Sequence, residues 1–381
     1  MSPWIISLVG CAALAVAMGI GRFAFTPILP MMHDDMGVSV AQGGWLASAN
    51  YAGYLAGALS TILLRVRPVI AIRVGLVVIG LSTLAMGMEQ RFAAWMVLRA
   101  IAGIASAWVL VFVSTWALEQ LAIAGRPAMG GMVYAGVGAG IAAAGGACLL
   151  LMAMGGSSAN AWIVLGVASL AVTAAVWPFA ATNPASAPVE TTAGAGSARG
   201  AEFWRLVLCY GAYGFGYIIP ATFLPVMARE VVSDPRLFGW AWPLFGAAAV
   251  VSTLVAARMS RLLTHRGTWI ASHLAMALGV IVPVIVPGLA GIMIAALFVG
   301  GTFVVITLAG MQEARRVAGT QARTLMAAMT SAFAVGQIVG PLSVSSLTDT
   351  AGFAPALAVA AGLLVLSALL LLRRGQPSGM N

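Results

Sequence analysis

Lysine is absent from this chain: all 19 basic side chains are arginine, and only 10 of the 381 residues are acidic. Charged residues make up 8% of the sequence and hydrophobic ones 61%. A water-soluble fold with so little polar material could not cover its own surface, so lipid must be the solvent. The surplus of nine positive charges would suggest nucleic acid in a soluble protein. In a membrane protein it matters only through where each charge sits, and no nucleic-acid partner is expected. Cysteine is scarce as well. Cys11, Cys148 and Cys209 fall inside apolar stretches without a CxxC pair or a nearby histidine, which indicates neither a disulfide framework nor a metal site. No acidic residue stands near the middle of any apolar stretch, and no nucleophile–base pair or His/Asp/Glu cluster is visible there. The chain therefore does not read as a membrane-embedded enzyme, and no cofactor is implied.

What the sequence has in abundance is long apolar runs. A helix crossing the hydrocarbon layer needs roughly 20 mostly apolar residues. Such runs extend from Trp4 to Met32, Gly44 to Leu64, Val69 to Met88, Phe92 to Leu118, Met129 to Met154 and Ala161 to Ala181. A second group extends from Phe203 to Met227, Phe238 to Ala257, Thr268 to Val286, Leu289 to Met311, Thr324 to Leu347 and Phe353 to Leu372. The first run lacks a basic n-region and is too long for a signal-peptide core, so it reads as a retained helix. Short loops leave no room for a sizeable soluble domain.

Between the groups lies TNPASAPVETTAGAGSARGA, residues 182–201, rich in Ala, Gly, Ser, Thr and Pro and suited to a flexible linker. The expected organisation is a first six-helix bundle over 1–181, the linker, and a second bundle over 202–381. Arginine distribution sets the orientation. With the N-terminus inside, the cytoplasmic loops receive fourteen arginines (65, 67, 73, 126, 199, 205, 258, 261, 266, 315, 316, 323, 373 and 374), and the outside receives only Arg91, Arg229 and Arg236. Both termini are expected on the cytoplasmic side of a bacterial inner membrane.

The two halves resemble each other. A shift of 195 residues lays Gly19, Gly21, Leu29 and Pro30 on Gly214, Gly216, Leu224 and Pro225, and a shift of 197 lays Gly103 on Gly300 and Arg126 on Arg323. The predicted fold class is thus an all-α membrane protein with twelve transmembrane helices in two pseudo-symmetric six-helix bundles.

Twelve helices, two repeats, a central loop and arginine-rich turns after the second and eighth segments (Gly57 with LLRVRP, and ARMSRLLTHRG) resemble the major facilitator superfamily over nearly the whole chain. Arg99 to Gly103 is similar to the Arg-x-x-x-Gly of that superfamily's fourth helix. GAGIAAAGG at Gly138 to Gly146 departs from its antiporter motif by carrying Ile141 in place of proline. GRFAFTPILP in the first segment resembles a bacterial branch of the superfamily whose substrates the likeness leaves open. The resemblance implies a cavity lined by helices one, four, seven and ten, interfaces made by two, five, eight and eleven, and rocking of the bundles about a midplane site.

Two charges stand inside apolar segments, Arg22 and Arg99. Each costs roughly 2.5 to 3.5 kcal/mol at a helix centre on insertion scales, so both are expected inside the bundle or in a cavity. Arg22 precedes Pro30 by eight residues, about 12 Å of helix, which is too deep for easy snorkelling. A guanidinium fork matches a carboxylate and stays charged at physiological pH. For Arg22 the alternative is that it satisfies carbonyls freed by Pro27 and Pro30, or pairs with Asp34 or Asp35. For Arg99 the alternative is that it fastens helices one, two and four together through backbone groups or Asn50. Tyr210, Tyr213 and Tyr217 share one helical face, and the 195-residue shift sets Tyr217 opposite Arg22. Substrate contacts are accordingly expected among Arg22, Arg99, Tyr213, Tyr217, Asn50, Tyr54, Trp108, Tyr134 and Gln337; the polar and aromatic members also suit interhelical bonding. Gly136, Gly140, Gly336 and Gly340 mark faces where bundles can approach closely. His33, Asp34, Asp35 and Glu119 are the candidates for coupling to a proton.

The expected function is alternating-access transport of a small organic anion such as a carboxylate, by a monomer, with a proton as a possible co-substrate. The alternative is efflux of drug-like or amphipathic compounds, by proton antiport.

Overall fold

The computed structural model describes residues 1–63, 67–179, 200–259, 264–318 and 322–373. The linker expected at 182–201 falls almost wholly outside the described residues, as do Arg65, Arg199, Arg261 and Arg374. Twelve long helices carry the fold: α1 (Pro3–Met36), α2 (Val40–Leu63), α3 (Pro68–Met88), α4 (Phe92–Ile123), α5 (Gly130–Ala153), α6 (Ser158–Val176), α7 (Ala201–Val231), α8 (Ala241–Met259), α9 (His265–Ile285), α10 (Leu289–Ala318), α11 (Ala322–Ala351) and α12 (Ala354–Leu372). Eleven are long and apolar enough to cross a membrane. The exception is α2, whose Ser48, Asn50, Tyr51 and Tyr54 dilute its hydropathy and turn out to be buried.

The helix ends follow local chemistry. Ser2 caps α1 and Pro3 occupies its first turn, where a missing N–H costs nothing. Gly37, at φ +67°, ends α1 in the left-handed conformation that glycine adopts without a Cβ penalty. Ser39 and Gln42 then form a reciprocal capping box at the start of α2, with bonds of 3.0 and 3.1 Å. Asp35 accepts from the Ser158 N–H (2.6 Å) and hydroxyl (2.8 Å), placing a carboxylate at the N-terminus of α6.

The bundles meet through α2 against α11 and α5 against α8. The repeat seen in the sequence is a physical symmetry here. Thr26 donates to the Ala221 carbonyl (2.7 Å) and Asp34 pairs with Arg229; each pair is separated by 195 residues, so counterparts face one another across a pseudo-two-fold axis. These bonds, with Tyr51 to Thr222 (3.1 Å), Ser48 to Ile338 (3.0 Å) and Ser345 to Ala41 (3.1 Å), fasten the halves on the side where Asp34 ends α1. We call this the Asp34 face and the opposite one the linker face. At the linker face Glu202 of α7, Arg266 of α9 and Glu313 and Arg316 of α10 form a charge network within the second half, and Glu313 is fully buried.

Close helix approach follows the symmetry too. A methyl group at Gly103 would overlap the Asn50 carbonyl, and one at Gly300 the Phe245 carbonyl, the residue 195 positions after Asn50. Gly136 lies against the Cys11 carbonyl and Gly336 against that of Gly211. Gly136, Gly140, Gly336 and Gly340 thus correct one expectation: they bring α1 and α7 close within each half. Approach between the halves falls to Gly138 and Gly145 against α8, and to Gly44 against Ser345. The physical reason is that α1 and α7 are central and packed on several sides. Because the obstruction at Gly103 is backbone, Gly103→Val should cost about 1–3 kcal/mol or more. The expected result is a clear loss of monodisperse protein on size exclusion, while Gly146→Val, in open space, leaves it unchanged.

Candidate functional site

The centre of the molecule is organised by a defect in α1. Residues Ala15–Ile20 form a π-helical stretch, with Gly21 N–H bonding to Val16 and Phe23 N–H to Met18, five residues back. Thr26 N–H then bonds to Phe23, three residues back, and Pro27 has no N–H to give. The carbonyls of Gly21 and Arg22 are consequently left without helical donors, in a buried setting where each unmet group costs free energy.

Arg99 of α4 supplies those donors. Its guanidinium reaches the Arg22 carbonyl at 3.1 Å and the Gly21 carbonyl at 3.5 Å, and its charge lies 4.8 Å from the Phe25 ring centre. Asn50 of α2 donates both to Gly21 (3.2 Å) and to the Arg99 carbonyl (2.9 Å). Arg99 thus takes the fastening role among α1, α2 and α4, and is not available as an open anion donor. The relief of the carbonyl freed by Pro27, one of the roles open to Arg22, falls to neither arginine: the Phe23 carbonyl accepts from the Thr26 N–H.

Arg22 does something different. Its guanidinium donates to the Gln337 side-chain oxygen on α11, and Gln337 in turn donates to the Tyr217 hydroxyl on α7. The charge sits 3.9 Å from the centre of the Tyr54 ring and 5.2 Å from that of Tyr51. Its Nε has no hydrogen-bond partner. Neither Asp34 nor Asp35 approaches it: the first pairs with Arg229 and the second caps α6. Arg22 and Arg99 are each 2% exposed, so in this conformation both lie inside the bundle rather than in an open cavity. Among the described residues no carboxylate pairs with Arg22, although buried Glu313 has arginine partners.

An aromatic wall surrounds this cation. Tyr217 is nearly parallel to Phe303 of α10 (5.9 Å, 1°) and to Phe333 of α11 (5.6 Å, 9°). Tyr213 lies tilted against Tyr217 at 5.1 Å and donates to the Phe303 carbonyl at 2.6 Å. Of the residues singled out from sequence, Arg22, Tyr54, Tyr217 and Gln337 come together, with Asn50, Arg99 and Tyr213 directly behind. Trp108 lies apart, bonded to the Ser60 hydroxyl (2.7 Å), and Tyr134 is half-buried on α5. His33 bonds the Val38 carbonyl at 2.9 Å, and Glu119 is half-buried toward the linker end of α4. Four residues not singled out from sequence belong to the centre: Tyr51, Phe303, Phe333 and His273. Single aromatics on separate helices have no spacing to betray them; His273 alone, a titratable group within an apolar run, could have been found.

A profile of the family described as "Uncharacterised MFS-type transporter YbfB" matches residues 14–372. Curated protein sequences yield no match. Among solved structures, a mutant of the nucleoside transporter NupG is similar, with a TM-score of 0.75 at 13% identity, over 96% of this chain and 99% of that one. That likeness establishes the fold.

Proposed function

This chain belongs to the family of MFS-type transporters named for YbfB, and on that premise we propose that it carries a small organic anion, a carboxylate, with Arg22 as the charge partner. The observation that carries the reading is the state of Arg22: a buried guanidinium held by one amide oxygen and ring faces, with an unpartnered Nε. Burying an unpaired charge costs several kcal/mol, and cation–π contact returns about 2. A carboxylate displacing the Gln337 amide would satisfy the fork and cancel the charge. Tyr54 and Tyr217 would then bound the body of the substrate, while Arg99 and Asn50 hold the broken stretch of α1 in place.

Positive-inside loops put the linker face, and with it both chain ends and the 182–201 connection between halves 1–181 and 202–381, in the cytoplasm. The conformation described is fastened at the Asp34 face and would open inward. Transport requires that Thr26–Ala221, Tyr51–Thr222 and Asp34–Arg229 part while the linker ends close.

A second reading is favoured by the ring stack. Tyr217 with Phe303 and Phe333, next to the Gln337 amide, also suits a flat heterocycle, and the similar NupG structure is titled a nucleoside transporter. Purified protein screened by thermal shift against monocarboxylates and nucleosides separates the two. Stabilisation grows with ligand over Kd, so carboxylates should raise Tm and drive uptake into proteoliposomes. Stabilisation by neutral nucleosides alone would replace the anion reading.

A further inference from the structure

We propose that His273 is a proton-binding site linked to the charge state of Arg22, so that a proton and the anion are carried together. This rests on the anion reading of Arg22 for its physiological meaning, though not for its test. His273 is fully buried on α9, yet neither ring nitrogen has a hydrogen bond of acceptable geometry. The backbone carbonyls of Cys209 on α7 and of Trp269, one turn back, lie close to the ring. Both are acceptors. A neutral imidazole donates from one nitrogen only and leaves the other lone pair facing oxygen; the imidazolium donates from both. An apolar shell penalises that charge, so the two effects oppose each other.

The remaining groups around the ring are weakly polar. Tyr213 lies 6.0 Å away and Trp269 5.9 Å, centre to centre, with Tyr210 beyond Trp269. From α12 comes the Ser367 hydroxyl, bonded to Cys209, while Glu313 of α10 is committed to Arg266 and Arg316 at the linker end. A largely apolar groove of about 510 Å³ between α8, α9 and α10 includes Thr268 and Ser272 of α9 in its lining, but not His273 itself.

The connection to Arg22 is a packed column. The His273 ring lies against Tyr213, Tyr213 lies tilted against Tyr217, and the Tyr217 hydroxyl accepts from Gln337, which accepts from Arg22. In the empty protein the Arg22 charge, at the far end of this column, opposes a second cation within the same buried region. An anion on Arg22 removes that opposition, and by linkage a proton on His273 favours the anion equally. One anion and one proton then cross together without net charge.

The chain has only three histidines, so the test is direct. Protein labelled with ¹³C-histidine in nanodiscs is titrated from pH 4 to 9, with ring signals assigned by His33→Gln, His265→Gln and His273→Gln. Arg22→Gln, which removes the opposing charge as an anion would, should raise the His273 midpoint by at least about 0.5 pH unit, a roughly threefold gain in proton affinity. Arg22→Lys should leave it in place, and Arg22→Met is a second neutral variant should Arg22→Gln not fold. A His273 signal that does not titrate, or a midpoint identical in charged and neutral variants, overturns the proposal. Neither outcome touches the anion reading, which is decided by the ligand screen.

Discussion

Arg22→Gln should abolish anion binding and transport while leaving the protein at least as stable as the parent. The guanidinium is the one buried cation at the centre whose partners are an amide and ring faces, so its removal costs the fold little. Replacing buried charges by uncharged groups of similar size is often neutral or stabilising. For the bound anion the consequence is opposite. Truncating one side of a buried, hydrogen-bonded charge pair costs about 2–5 kcal/mol, or roughly two orders of magnitude or more in affinity. The pair of measurements is the Tm of the empty variant and the ligand-induced shift. An unchanged or raised Tm with the carboxylate shift lost is expected. A lowered Tm with the shift retained would make Arg22 a structural residue and remove the basis of the anion reading.

Arg99→Gln should do the reverse. This side chain serves two carbonyls left over by the π-helical stretch of α1, and each buried acceptor without a donor costs about 1–3 kcal/mol. Against the 5–15 kcal/mol typical of a folded domain, such a loss is severe. Expected are a Tm several degrees lower and a reduced monodisperse yield, with any surviving protein still stabilised by carboxylates. Asn50→Ala should weaken the same joint, since Asn50 shares the Gly21 carbonyl with Arg99. The double variant should therefore fall short of the sum of the singles. Normal stability with lost binding in Arg99→Gln would reverse the roles of the two arginines.

That two arginines with the same sequence context take such different roles shows where legibility stopped. Both stand in apolar helices without an acidic neighbour, and hydropathy treats them alike. What separates them is the hydrogen-bond register of α1, which slips by one residue between Ala15 and Ile20 and opens carbonyls toward α4 but not toward α11. No composition or spacing rule marks a π-helical stretch in advance. Gln337 illustrates the same limit: it stood in the sequence as one polar residue among several in α11, and only packing placed it between Arg22 and Tyr217.

The sequence by itself determined the lipid solvent, the twelve helices, their grouping into two bundles and the 195-residue register between them. Each of these depends on local quantities, apolar length and repeated small residues, that act within a single helix or between paired ones. Only the tertiary structure decided which side chains meet at the centre, which glycines let helices touch, and which buried polar groups lack partners. Those outcomes depend on groups hundreds of residues apart, such as Arg22 and Gln337 at a separation of 315. Their relative positions are set by the crossing of whole helices, a property that no stretch of chain carries alone.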